Sequence, residues 1–218
     1  KGIIAAVTDF IVRIEGNIIY IDQHVDFEQN VFFMRLECEL TNPNSNLSAI
    51  KHVFELSIAA DFKMAWEIHP KDLKPKMALF VSKYDHCLFD ILGRYSAGEF
   101  NMEIPLIVSN HEDLMAVANR FEIPFFCIPF TKENKEEGEK QQIELLQKHD
   151  IDFIVLARYM QIIGPNLIRL YENKIINIHH SFLPAFVGAN PYKQAYEKGV
   201  KLIGATAHYV TADLDQGP

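Results

Sequence analysis

The chain has 218 residues, enough for one large domain or two modest ones. Hydrophobic residues make up 49% and charged residues 23%, the mixture of an ordinary core-forming protein, which excludes wholesale disorder, collagen-like repeats and coiled coil. With 21 Lys and Arg against 29 Asp and Glu, the formal charge of −8 offers no overall positive field to a phosphate backbone, so nucleic acid is not an expected partner.

Apolar residues recur at helical spacing over 3–14 (Ile3, Ile4, Val7, Phe10, Ile11, Ile14), and Glu15-Gly16-Asn17 supplies a stop. Residues 17–26 and 31–40 read as a hairpin across the polar break Glu28-Gln29-Asn30. A second helix is predicted over 47–62 and a short strand over 64–68. If a strand precedes Lys1, the order becomes βαββαβ, the ferredoxin-like unit with its first strand missing. Residues 70–75, with two prolines among charges, read as a linker between a domain over 1–69 and another over 76–218. The chain opens without an initiator Met or a signal-peptide pattern and closes on a turn-like cluster over 213–218, so it is read as a fragment truncated at both ends.

Beyond the linker the rhythm changes. Strands are predicted over 77–82, 104–109, 125–129, 153–157, 175–178 and 202–210, with helices over 86–96, 112–121, 132–148, 165–171 and 191–198 between them. This alternation implies a Rossmann-like α/β domain, its mostly parallel sheet covered on both faces, with ligands collecting beyond the carboxyl ends of the strands. The charged stretch 132–140 reads as a solvated helix face. No apolar run approaches the roughly 20 residues that cross a bilayer. Cys38, Cys87 and Cys127, odd in number and widely spaced, form neither a disulfide framework nor a metal-ligand pattern, which points to a reducing cytoplasm.

The segment Asn177-Ile178-His179-His180-Ser181-Phe182-Leu183-Pro184 ends a predicted strand and breaks both periodicities. Asn177 and His179 are two apart, so an extended backbone projects them to one side. A carboxamide can donate to a developing oxyanion, and an imidazole can move protons near neutral pH. Asp215, in a Gly-containing turn after the last strand, is the candidate third partner. Spacing alone leaves open the competing reading, a hydrogen-bonded surface histidine.

Residues 177–184, followed by Phe186, Gly188, Tyr192 and Ala195, then Gly204-Ala205-Thr206-Ala207-His208-Tyr209-Val210 and Leu214-Asp215-Gln216-Gly217-Pro218, resemble the active-site region of the folate-dependent formyltransferases. The similarity covers roughly 77–218, and within that family it is nearest to the formyltetrahydrofolate deformylase branch. Most transferases carry Pro after Asn-Ile-His, and His180 stands there as in that branch. The loop Ser82-Lys83-Tyr84-Asp85-His86-Cys87-Leu88 has no glycine with which to cradle a ribonucleotide phosphate, and Asp85 would repel one. Gly2-Ile3-Ile4-Ala5-Ala6-Val7 is similar to the glycine-led first helix of ACT domains, which bind amino acids at subunit interfaces or merely dimerise an enzyme.

The resemblance implies hydrolysis of 10-formyltetrahydrofolate to formate and tetrahydrofolate, in support of purine synthesis, with Asn177, His179 and Asp215 catalytic. It implies a folate pocket along Arg158, Tyr159, Met160, Gln161, Ile162 and Ile163, with Gly188 and Thr211 and with His208 in support. Arg158 is the local donor expected to meet the anionic glutamate tail. His86, Cys87 and His180 are expected on the water side, with no metal and no prosthetic group; a homo-oligomer with a possible amino-acid effector is expected. The alternatives are a formyltransferase acting on an amine and a non-catalytic amino-acid-responsive regulator.

Overall fold

Residues 77–81 are apolar without alternation, the pattern of a strand buried on both faces. In the computed structural model they form β3 (Lys76–Val81), inside a six-stranded sheet ordered β5 (Phe125–Cys127), β4 (Glu103–Ser109), β3, β6 (Phe153–Leu156), β7 (Ile175–His179), β8 (Thr206–Tyr209). Residues 1–42, 46–129, 134–179, 181–183, 185–186 and 191–218 are described, apart from the side chain of Pro191. The chain divides into two compact units, Lys1–Pro70 and Lys71–Pro218.

In the first unit α1 (Ile3–Arg13) starts from Gly2, held at φ 88, and buries Val7, Phe10 and Ile11. The hairpin pairs β1 (Gly16–Asp26) with β2 (Val31–Leu40) antiparallel, with a register shift between Ile18 and Tyr20. Its turn is organised by Asp26, whose Oδ1 accepts from the backbone N–H groups of Glu28 and Gln29 at 2.9 and 3.0 Å. Asn46 caps α2 (Leu47–Phe54) through Ser48 N–H and Ala49 N–H, and a π-helical turn Glu55–Ala59 continues it into α3 (Ala60–Phe62). The core joins Phe10 edge-on to Phe54 at 5.1 Å and Phe54 to Trp66 at 4.8 Å.

The strand expected over 64–68 does not form. A strand exists only where its backbone N–H and C=O groups find a neighbouring ladder, and this segment finds none among the described residues. Met64 and Trp66 pack instead on the apolar cluster of α1 and α2.

In the second unit the pleat of β3 divides its side chains between two cores. Ala78 and Phe80 join Leu146 of α6 (Lys135–Lys148) and Leu167 of α7 (Pro165–Leu170). Met77, Leu79 and Val81 join Leu88 and Leu92 of α4 (His86–Ser96) and Ala118 of α5 (Met115–Arg120). The outer strands are β4 (Glu103–Ser109), β5 (Phe125–Cys127), β6 (Phe153–Leu156), β7 (Ile175–His179) and β8 (Thr206–Tyr209). All neighbours run parallel except β8, which is antiparallel to β7. The strand expected over 202–210 shortens to β8, whose first residue, Thr206, pairs with His179. A short α8 (Pro191–Glu197) precedes it.

The charged stretch 132–140 is not simply a solvated face. Glu139 is buried, and its carboxylate accepts from Leu167 N–H at 2.9 Å and from Asn166 Nδ2 at 3.2 Å. Gly164 passes so close that a side chain there would overlap that carboxylate. Glu139 thus satisfies a backbone N–H at the start of α7, which the helix itself cannot do. No helix among the described residues is long and apolar enough to cross a membrane.

Candidate active site

Strand β7 places Asn177 and His179 two residues apart, and the antiparallel pairing with β8 sets His208 directly opposite Asn177. Nδ1 of His208 lies 3.0 Å from the Tyr209 carbonyl and donates to it, so Nε2 presents a lone pair and accepts from Asn177 Nδ2 at 3.2 Å. One N–H of the Asn177 carboxamide is thereby used and its orientation is set.

Asp215 closes the group. Its Oδ2 lies 3.4 Å from His179 Nδ1 and its Oδ1 lies 3.7 Å from His208 Nε2. The three side chains are buried, with 6% of His179, 4% of His208 and 8% of Asp215 exposed. Nε2 of His179 donates to the Phe186 carbonyl at 2.9 Å. With a carbonyl on one ring nitrogen and a carboxylate on the other, His179 can donate at both only as the imidazolium.

The closing turn explains how a residue so near the end of the described chain reaches the sheet. Tyr209 N–H donates to the Pro218 carbonyl at 2.8 Å, folding the segment back along β8. Gly217 passes against the Tyr209 carbonyl oxygen with no room for a Cβ, and Asp215 itself takes a left-handed backbone, φ 55. Thr211 is half-buried, and its Oγ1 donates to the Asp213 carbonyl at 3.1 Å. Thr206 organises the other side, donating to the Ser181 carbonyl at 2.8 Å and accepting from Leu183 N–H at 3.1 Å.

The loop after β6 divides the residues expected along the folate pocket. Tyr159 and Ile163 face the core rather than the surface; Tyr159 is buried against Phe80 and accepts from Gln142 Nε2 at 2.7 Å. Burial holds its phenol far above the ordinary range, with the Gln142 hydrogen bond opposing. Met160 and Ile162 are 62% and 67% exposed, and Gln161 is half-buried, so these three line the surface. Arg158 does not extend as a free donor for an anionic tail: its guanidinium lies over the Tyr84 ring, 4.9 Å from the centroid.

After β3, His86 is exposed at the first position of α4 and Cys87 is half-buried. Burial raises the Cys87 thiol above its ordinary value, Arg158 opposing, so it is a poor nucleophile at neutral pH. His180 and Gly188 lie outside the described residues. The structure therefore brings together Asn177, His179, His208 and Asp215. Reading the sequence missed Thr206, Glu139, Gln142 and the role of Gly217. The Asp-Gln-Gly-Pro turn was the visible signal for Gly217, whereas Glu139 and Gln142 carry none, being polar residues in a polar helix.

Residues 75–218 match the Formyl transferase family. Across 217 residues, all of this chain and 76% of the relative, it is 50% identical to the formyltetrahydrofolate deformylase of Synechocystis sp.. The crystal structure of a formyltetrahydrofolate deformylase from Pseudomonas syringae pv. tomato superposes with a TM-score of 0.95 at 42% identity, covering 100% of this chain and 72% of that one. A glycinamide ribonucleotide transformylase from Symbiobacterium toebii is more distant, with a TM-score of 0.63 at 26% identity over 70% of this chain and 74% of its own. On identity and superposition over the whole of this chain, it belongs to the formyltetrahydrofolate deformylases, a branch built on the formyl transferase domain.

Proposed function

We propose that this protein hydrolyses 10-formyltetrahydrofolate to formate and tetrahydrofolate, with Asn177, His179 and Asp215 as the groups that act on the formyl carbon. The observation that carries this reading is the buried contact of Asp215 with His179, beside an Asn177 carboxamide held by His208. Water adds to the formyl carbon, a C–O bond forms, and the carbonyl electrons move onto oxygen. The remaining N–H of Asn177 and an N–H of His179 stabilise that oxyanion as charge develops. The N–H on His179 Nε2, which meets the Phe186 carbonyl at 2.9 Å, is the one that turns to the formyl oxygen in this reading. Asp215 orients His179 through Nδ1 and accepts a proton from the attacking water. Collapse breaks the C–N10 bond, N10 takes up a proton, and formate leaves.

The exposed apolar side chains of Met160 and Ile162 support a pterin surface next to this group. His86, Cys87 and His180 on the water side, with Gly188 and Thr211 in the folate pocket, belong to the same proposal. In the first unit, the α1, β1, β2, α2 order and the glycine-led α1 support an ACT-like regulatory or dimerising domain over 1–69, joined through 70–75 to a catalytic domain over 76–218. An amino-acid effector, a homo-oligomer, a cytoplasmic location and a role in supplying formate for purine synthesis complete the reading. Incubating the full-length protein with 10-formyltetrahydrofolate in the absence of any amine tests it. Formate and tetrahydrofolate should appear in equal amounts; formate that appears only when an amine is added, or not at all, rejects it.

A further inference from the structure

The sheet order places β3, the first strand of its unit, between β4 and β6. The chain leaves β3 toward β4 and β5 on one side and toward β6, β7 and β8 on the other. Open α/β sheets take ligands in the crevice that such a reversal leaves beyond the strand ends. Here the crevice is bridged. Arg158, from the loop after β6, lays its guanidinium over Tyr84, from the loop after β3, at 4.9 Å. Arg158 takes φ 59 and Met160 takes φ 58, a left-handed backbone that bulky side chains rarely adopt and that gathers in loops carrying function.

The strand ends beside the stack are polar. Val81 pairs with Ser109 and Phe80 with Leu156, so Ser82 and Asn110 lie side by side one step further out. Arg158, two places past Leu156, continues the same row. Ser82 and Asn110 are buried, and Asn110 Oδ1 and Arg158 Nε have no hydrogen-bond partner among the described residues. A buried acceptor and a buried donor along one row of strand ends suit a small polar guest of the size of water.

We infer that the Arg158–Tyr84 stack closes the switch-point crevice to amine acceptors while leaving a water-sized opening over Ser82 and Asn110, which makes this pair the determinant of hydrolysis over formyl transfer. The inference rests on the hydrolase reading above. With water as acceptor, a C–O bond forms as C–N10 breaks, N10 takes a proton, and formate and a second proton are released. With an amine admitted, a C–N bond to the acceptor would form instead, the amine losing the proton that N10 gains.

The test uses the full-length protein with 10-formyltetrahydrofolate and glycinamide as the amine probe, measuring formate and formylglycinamide together. Wild-type protein should give formate with only a trace of formylglycinamide. Tyr84→Ala, and Arg158→Gly, which also relieves the left-handed backbone, should raise the formylglycinamide share about tenfold, the scale on which pocket sterics discriminate. Tyr84→Phe, which keeps the ring under the guanidinium, should restore the wild-type product ratio. An unchanged ratio in both truncated variants overturns the inference. So does loss of both products from variants that still bind tetrahydrofolate by fluorescence quenching. Absence of formate from the wild-type protein marks failure of the hydrolase reading, whereas formate release with an unaltered ratio in the variants marks failure of this inference alone.

Discussion

His208 accepts a hydrogen bond from Asn177 at 3.2 Å, and the second histidine therefore aims the carboxamide from the neighbouring strand. Removing it frees the Asn177 amide to turn over. His208→Ala should lower kcat about tenfold, the worth of roughly one hydrogen bond, with little change in KM. A KM effect of the same size as the kcat effect would instead mean that His208 serves substrate binding.

Asn177→Ala and His179→Ala each remove a donor proposed for the oxyanion. Each should reduce formate release by about 10²–10³ while folate binding, followed by fluorescence titration, persists. Turnover within a few-fold of wild type in either variant would remove that residue from the chemistry.

Asp215 is held in place by a glycine that carries no chemistry. At Gly217 a Cβ would overlap the Tyr209 carbonyl, so Gly217→Ala should displace the turn and cut kcat, with Asp215 still present in the sequence. Asp215→Asn should show the same loss with the turn intact. Comparison of the two by circular dichroism and formate release separates displacement from loss of charge.

Glu139 tests whether the buried end of α6 stabilises the loop beneath the pterin surface. Glu139→Ala leaves Leu167 N–H without its acceptor, and a buried unsatisfied group costs about 1–3 kcal/mol. Urea unfolding should show a lower midpoint. An unchanged midpoint would mean that the N–H finds another partner.

Tyr159 gives an alkaline signature. Burial raises its phenol, so the folded chain keeps a proton that the unfolded chain releases above a pH of about 10. The folded state then binds more protons than the unfolded one, and stability falls as pH rises through that range. Tyr159→Phe should be less stable than wild type near neutral pH, because Gln142 Nε2 loses its acceptor, yet should show a shallower alkaline fall in Tm. An equally steep fall would place the alkaline sensitivity elsewhere.

Composition and periodicity alone settled much of this protein. The all-apolar run of β3, the alternation of strands with helices and the break after Ile178 sufficed to place a polar site at the carboxyl end of a parallel sheet, because burial on two faces and strand geometry are written in residues close together. The motifs around Asn177, His179 and Asp215 further named a family. Three-dimensional contacts decided the rest. Whether 64–68 became a strand depended on a neighbour for its backbone, and whether Glu139 met water or the start of α7 depended on where a distant helix packed. The pairing of Asn177 with His208 and of Asp215 with His179 required the antiparallel register of β8 and a turn closed on Tyr209. Hydrogen bonds of this kind join residues remote in sequence, and local pattern carries no record of them. The length that first suggested two modest domains is now seen as two compact units, and the acidic balance is met at the candidate site by a buried carboxylate facing two histidines.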